Sequence, residues 1–239
     1  YSGSGASSVE GINFKAMKGQ TIGVIGGTGS GKSSLVNLIP RLYDATQGEV
    51  LVDGVNVKDY DIEALRNKVG IVMQKAVLFK GTIRENMWMG KKGATDEQID
   101  EALEISQSKE FVDSKQGRLD YVIEQGGKNL SGGQRQRLTI ARAIVRKPDV
   151  LILDDSASAL DFATDAALRK AIRGMNNSPT VFIVSQRAAS LMYADLIIVL
   201  DDGQVAGMGT HDELLANCEV YKEIYESQFK KADSEGGVA

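Results

Sequence analysis

The run Gly26-Gly27-Thr28-Gly29-Ser30-Gly31-Lys32-Ser33 constrains this chain more than any other stretch. It matches the phosphate-binding pattern G-x-x-x-x-G-K-[ST], the P-loop. Its flanks agree with that reading. Residues 21–25 are a short apolar run with β-branched members, which predicts a buried strand. Residues 33–39, opening Ser33-Ser34, predict the helix that follows. Glycines let backbone N–H groups turn inward without a Cβ clash. A helix start adds unpaired N–H groups and partial positive charge. In that arrangement Lys32 lies against the β- and γ-phosphates and the Ser33 hydroxyl holds Mg²⁺. A strand, a tight loop and a helix in this order belong to an α/β fold.

The bulk properties set outer bounds. A chain of 239 residues makes one large domain or two small ones, and 42% hydrophobic residues suffice for a core. A net charge of −4 speaks against a nucleic-acid surface, which is normally basic. No apolar run approaches the roughly 18 residues of a membrane span; the longest, residues 191–200, is broken by Asp195. The opening residues do not read as a signal peptide. A lone cysteine, Cys218, excludes an internal disulfide and suits a reducing compartment. The chain opens at Tyr1 without methionine, as a piece of a longer polypeptide would.

Reading onward, residues 1–8 are a Gly/Ser loop, and residues 9–15 alternate as an edge strand would. Residues 49–52 lead as a strand into Asp53-Gly54, a tight-turn pair. Residues 61–68 read as a helix, 70–73 as a strand and 82–89 as a helix. Thr95-Asp96-Glu97-Gln98 is a capping box opening a helix with Ile99, Ala102, Leu103 and Ile105 on its apolar face. A further helix covers 108–115, so 82–130 forms a mostly helical insertion. Residues 130–146 form a basic amphipathic helix that Pro148 ends. Helices are also predicted over 161–175, 212–216 and 219–229, with a buried strand over 180–184. Residues 196–200 and 204–208 read as a hairpin around Asp202-Gly203, and the polar stretch 230–239 as a disordered tail.

Two further motifs carry chemistry. Val150-Leu151-Ile152-Leu153 is fully apolar, as a doubly buried central strand is, and ends at Asp154-Asp155. A carboxylate at the C-terminal end of such a strand is a Walker B pattern; Asp154 would hold Mg²⁺ through its water shell. Leu130-Ser131-Gly132-Gly133-Gln134 then places a hydroxyl and bare backbone at a helix start, a second anion site.

With that stretch the chain resembles the nucleotide-binding domain of ATP-binding-cassette (ABC) transporters, whose signature is L-S-G-G-Q. The resemblance runs from Tyr1 to about Phe229. It implies a P-loop NTPase core with a mainly parallel sheet, an N-terminal antiparallel β subdomain and a helical subdomain over about 82–140. It implies ATP and Mg²⁺ as cofactors. It also implies head-to-tail pairing with a second nucleotide-binding domain, so that Ser131, Gly132, Gly133 and Gln134 close on ATP held by the partner's P-loop. Gln74 resembles the Q-loop glutamine, which contacts Mg²⁺ or water and senses the transmembrane domain. Ser158-Ala159-Leu160-Asp161 resembles the D-loop that crosses the dimer interface. Tyr1 stands where the family stacks an aromatic on adenine. Glu124-Gln125-Gly126-Gly127 corresponds, with altered wording, to a loop that touches coupling helices.

Three stretches resemble the exporter branch: Leu78-Phe79-Lys80-Gly81-Thr82-Ile83-Arg84-Glu85-Asn86, Gly209-Thr210-His211-Asp212-Glu213-Leu214, and residues 221–229. The resemblance therefore implies work at the cytoplasmic face of a membrane, with transmembrane domains outside this chain as partners, and no nucleic acid or direct membrane insertion.

Two positions depart from the family. Asp155 stands where the family has a catalytic glutamate, and Gln186 where it has a switch histidine. Aspartate is one methylene shorter, and misplacing a reacting group by about 1 Å costs on the order of a hundredfold. Glutamine donates a hydrogen bond to a γ-phosphate but carries neither a proton nor a charge. The lone histidine, His211, is read as a helix-start residue that cannot substitute. ATP binding is expected to survive and hydrolysis at the chain's own P-loop to be slow. The pair of changes resembles the degenerate-site subunit of heterodimeric exporters. The alternatives are an active homodimeric ATPase with Asp155 as base, a non-transport ABC protein handling DNA or ribosomes, or a P-loop kinase. The last leaves the Leu-Ser-Gly-Gly-Gln stretch unexplained.

Overall fold

The computed structural model describes residues 9–156 and 159–235. In chain order the elements begin with β1 (Thr21–Gly26), α1 (Lys32–Asn37), β2 (Leu51–Val52), β3 (Val55–Asn56), α2 (Ile62–Lys68) and β4 (Val69–Val72). Next come β5 (Gly81–Thr82), α3 (Ile83–Trp88), α4 (Asp96–Ile105), α5 (Lys109–Asp113) and β6 (Val122–Ile123). Then follow α6 (Gly132–Ile144), β7 (Val150–Asp154), α7 (Phe162–Arg173), β8 (Thr180–Val184), β9 (Leu196–Asp201), β10 (Gln204–Gly209), α8 (His211–Asn217) and α9 (Glu219–Glu235). They gather into two units, residues 1–65 with 180–239, and residues 66–179.

In the first unit β1 lies between β8 and β9, parallel to both. All six of its residues are buried, which explains the unbroken apolar run. Asp195 fastens the start of the strand, its carboxylate accepting from the Thr21 amide at 2.7 Å. β10 returns antiparallel to β9 through Asp202-Gly203. β2 and β3 pair antiparallel through Asp53-Gly54. Both turns place their two residues at positive φ (43° and 79°; 51° and 78°), the geometry that favours Asp-Gly in two-residue hairpins.

In the second unit β4 runs parallel to β7, with Val69 level with Val150 and Val72 level with Leu153. A Cβ on Gly70 would lie 2.9 Å from the Pro148 ring and 3.0 Å from the Ala143 carbonyl, so the end of α6 comes this close to β4 only over a glycine. Ile83, Met87, Ile99, Leu103, Leu138 and Ile140 supply a buried helical core. Helices α3 and α4 start at capping boxes, Thr82 with Glu85 and Thr95 with Gln98. Such a cap contributes about 1 kcal/mol.

Parallel pairing predominates, and β1 runs into α1 as the strand and helix of a P-loop core are expected to. Three details differ from the sequence reading. Residues 9–15 alternate in burial but form no strand; Glu10 makes one backbone bond, to the Gly203 carbonyl. The alternation reflects one side facing the core, with Phe14 edge-on to Phe182, and not a ladder. The helical insertion also contains a two-stranded pair, β5 with β6, whose two-residue strands are too short to leave a period in the sequence. Finally, α9 runs to Glu235, where the sequence reading placed a disordered tail from residue 230. Lys230, Lys231 and Ala232 are good helix formers, and no glycine intervenes before Gly236.

Candidate functional site

The phosphate loop joins β1 to α1 in the first unit. A Cβ on Gly26 would lie 2.1 Å from the Leu200 carbonyl oxygen, so only glycine lets β1 turn there beside β9. Gly29 and Gly31 then take φ of 84° and 94°, a left-handed region open to glycine. Lys32 is 9% exposed. Its ammonium donates to the Gly26 and Gly27 carbonyls at 2.8 and 2.6 Å, with the Ser30 hydroxyl at 3.4 Å. The ammonium thus lies over the loop, where a phosphate would be a stronger, charged partner than these carbonyls. Thr28 and Ser33 are exposed, Ser34 is half-buried, and Ser30 is buried. Helix α1 starts at Gly31 with no side-chain cap and no acidic residue in its first turn.

Gln186 belongs to the same unit. Val24 pairs with Val184, and the Ser185 amide donates to the Val24 carbonyl at 3.1 Å. Continuing that register by two residues brings Gln186 level with Gly26, the first residue of the loop. Its side chain is exposed.

The second unit carries the remaining candidates. Asp154 ends β7 and is 5% exposed. Asp155 follows at φ 45°, an unusual conformation for a residue other than glycine and one that concentrates at functional sites. The Gln74 amide, just past β4, donates to the Asp155 carboxylate at 3.1 Å. The sequence reading named both residues, but nothing in it joined them across 81 positions.

The signature stretch opens α6. Ser131 is its N-cap, accepting from the Gln134 amide at 3.2 Å, while the Gln134 side chain accepts from the Ser131 amide at 3.1 Å. Gly132 is exposed; a Cβ on Gly133 would lie 3.3 Å from the Ala159 carbonyl, so signature and D-loop are close neighbours. Asp161 caps α7, accepting from the Thr164 amide at 2.9 Å and the Thr164 hydroxyl at 2.7 Å. Those donors, the Thr164 amide first, hold its carboxyl below the usual carboxylate range. Tyr1 and Ser158 lie outside the described residues.

Two sets of residues escaped the sequence reading. The arginines of α6 and Arg146 just past its end, read there only as a basic face, each donate to backbone carbonyls. Arg135 reaches Gly127 and Leu130, Arg137 reaches Gln107, Arg142 reaches Val77, and Arg146 reaches Gly90 and Arg66. Burial pushes the Arg142 and Arg146 guanidinium groups downward. The second is Gln228 on α9, which holds the backbone around Gln186. Neither set has a sequence signal, because each partner is a carbonyl or amide fixed by folding.

The family model of the ABC transporter matches residues 9–158. The chain belongs to the ABC transporter family. It is 45% identical over 224 residues to the uncharacterised ABC transporter ATP-binding protein YfiB of Bacillus subtilis, covering 94% of this chain and 39% of YfiB. It is 39% identical over 228 residues to a putative multidrug export ATP-binding/permease protein of Staphylococcus aureus, covering 95% and 39% of the two chains. Among solved structures it is similar to a bacterial Atm1-family ABC exporter with ATP bound, at a TM-score of 0.88 and 32% identity over 92% of this chain and 39% of that one. The chain therefore spans about two-fifths of the length of these relatives.

As an ABC ATP-binding domain the chain has residues that suit a nucleotide triphosphate. The Lys32 ammonium and the uncapped start of α1 are cationic, and space borders the backbone at Gly27 and Gly29, where a Cβ would meet nothing within 4 Å. The Ser33 hydroxyl and the Asp154 carboxylate are hard oxygen donors of the kind Mg²⁺ takes. Among the described residues no helix is long and apolar enough to cross a membrane.

Proposed function

We propose that this chain binds Mg-ATP and pairs head to tail with a different ABC ATP-binding domain to drive export. Its own P-loop site turns over slowly, and its signature completes the partner's working site. The observation that carries this reading is the combination of a complete P-loop and signature with Asp155 after β7 and Gln186 after β8. Ser33 and Asp154 would hold Mg²⁺ in this reading, with Gln74 contacting the metal or the water. When bound, Mg²⁺ would supply positive charge against the β- and γ-phosphates. Lys32, and Ser131 acting on the partner's nucleotide, stabilise charge that develops on the transferred phosphoryl group. Tyr1 stacks on adenine, and Ser158 to Asp161 cross the interface.

An Asp155 carboxylate falls short of the position a glutamate reaches, and Gln186 supplies a hydrogen bond without a charge. Closure on ATP then outlasts chemistry at this site. The exporter relatives support transport as the purpose, with transmembrane domains as partners and the cytoplasmic face of the membrane as the place of work.

The test compares wild type with Asp155→Glu plus Gln186→His. Wild type should bind Mg-ATP and barely hydrolyse it, and the double variant should turn over about a hundredfold faster. Brisk turnover by wild type alone would make Asp155 a working base and the assembly a homodimer.

A further inference from the structure

Helix α9 reaches back to the strand end that carries Gln186. The Gln228 side chain spans two backbone groups there. Its amide donates to the Gln186 carbonyl at 2.7 Å, and its carbonyl oxygen accepts from the Ala188 amide at 2.9 Å. Glutamine is the right residue for this, because its planar amide offers one donor and one acceptor side by side. Asparagine is one methylene shorter, and glutamate would set an acceptor against the Gln186 carbonyl.

The clamp closes a segment that β8 only partly fixes. Val184 is the last residue of the strand, and the Ser185 amide makes the last bond to β1. The Ser185 hydroxyl accepts from the Arg187 amide at 2.9 Å, and residues 188–190 form a single 3₁₀ turn. Gln228 holds the peptide on each side of Arg187, so Gln186 leaves the strand in one direction. The helix itself is well founded. Tyr221 on α9 is fully buried, and its hydroxyl is 2.8 Å from the His211 imidazole on α8. Tyr225 packs against the same imidazole with ring centroids 5.3 Å apart.

We propose that Gln228 is a positioning residue: it aims Gln186 at the γ-phosphate and so makes the discrimination of ATP from ADP depend on the C-terminal helix. This rests on the reading of Gln186 as the γ-phosphate contact. Gln228 does not touch nucleotide itself. ADP lacks the γ-phosphate, so ADP affinity is the internal control for a merely structural effect.

The experiment measures Mg-ATP and Mg-ADP dissociation constants and Tm for the full chain. The variants are Gln186→Ala, Gln228→Ala, the two combined, and Gln228→Glu. Each single alanine change should lower the ATP-over-ADP preference roughly three- to tenfold, the range set by one or two lost hydrogen bonds. ADP affinity should stay put, and the double variant should lose no more than Gln186→Ala alone. Gln228→Glu keeps the bond to the Ala188 amide and should fall between wild type and Gln228→Ala.

A preference lowered by Gln186→Ala but untouched by Gln228→Ala overturns the clamp and leaves the reading of Gln186 standing. A preference untouched by Gln186→Ala overturns that reading, and the proposal with it. Equal losses of ATP and ADP affinity in Gln228→Ala, with a falling Tm, make Gln228 a packing residue and also overturn the proposal.

Discussion

The helix starts at Gly31 and at Ser131 are built from similar residues and finished in different ways. Each presents glycines and a hydroxyl at the first turn. At Gly31 no side chain caps α1, and the cation of Lys32 lies back over the Gly26 and Gly27 carbonyls. At Ser131 the first turn is closed by a reciprocal box with Gln134, and the Arg135 guanidinium beside it donates to the Leu130 carbonyl. The first presents an ammonium and open backbone to an anion. The second satisfies itself, and in the proposed pairing a phosphate brought by a partner would displace part of the box. On that reading the open start holds ligand on its own, and the capped start engages when a second surface supplies the phosphate.

Lys32→Ala is the hardest blow to that contrast. It removes the cation held in the open loop and should weaken ATP binding by roughly 10- to 150-fold, the equivalent of about 1.5–3 kcal/mol for a charge-assisted contact. Equilibrium titration of the chain with Mg-ATP checks it, and unchanged affinity would mean the loop binds through backbone alone.

Ser131→Ala tests the other side. It removes the cap of α6 and should cost about 1 kcal/mol, or roughly 2–4 °C in Tm for a chain of this size. ATP affinity of the isolated chain should not move. A drop in affinity without a drop in Tm would place Ser131 at the chain's own nucleotide and dissolve the distinction.

The smallest effect belongs to a third helix start, at Asp161. Its carboxylate is held below the usual range by the Thr164 amide and hydroxyl. A depressed folded value contributes stability that is present above the unfolded value, near 4, and lost as pH falls through the folded one. Asp161→Asn should therefore lower Tm slightly at pH 7 and converge with wild type as pH drops below 4. Parallel thermal scans across that window decide it, and a constant difference would show that geometry and not charge makes the cap.

Much of this was legible before folding. The hairpins at Asp53-Gly54 and Asp202-Gly203, the capping box at Thr95, and the strand–loop–helix around Lys32 all lie within a few residues of chain, where backbone sterics and neighbouring side chains decide the outcome. Residues 9–15 misled because alternating burial looks the same whether or not a strand partner is present. Residues 230–235 misled because polarity was read as disorder, although lysine and alanine favour helix. The β5–β6 pair was too short to read.

Local chemistry in the sequence was enough to place the phosphate loop, the Asp154 strand end and the signature cap, because each is a short-range pattern that any fold containing it must respect. Tertiary structure alone decided that Leu200 presses on Gly26, that the arginines of α6 seek backbone carbonyls, that Gln74 meets Asp155, and that Gln228 holds Gln186. Those partners are separated by 40 or more residues in most cases, and backbone groups carry no residue identity. A sequence therefore cannot announce them, and only the packed chain selects which donor faces which acceptor.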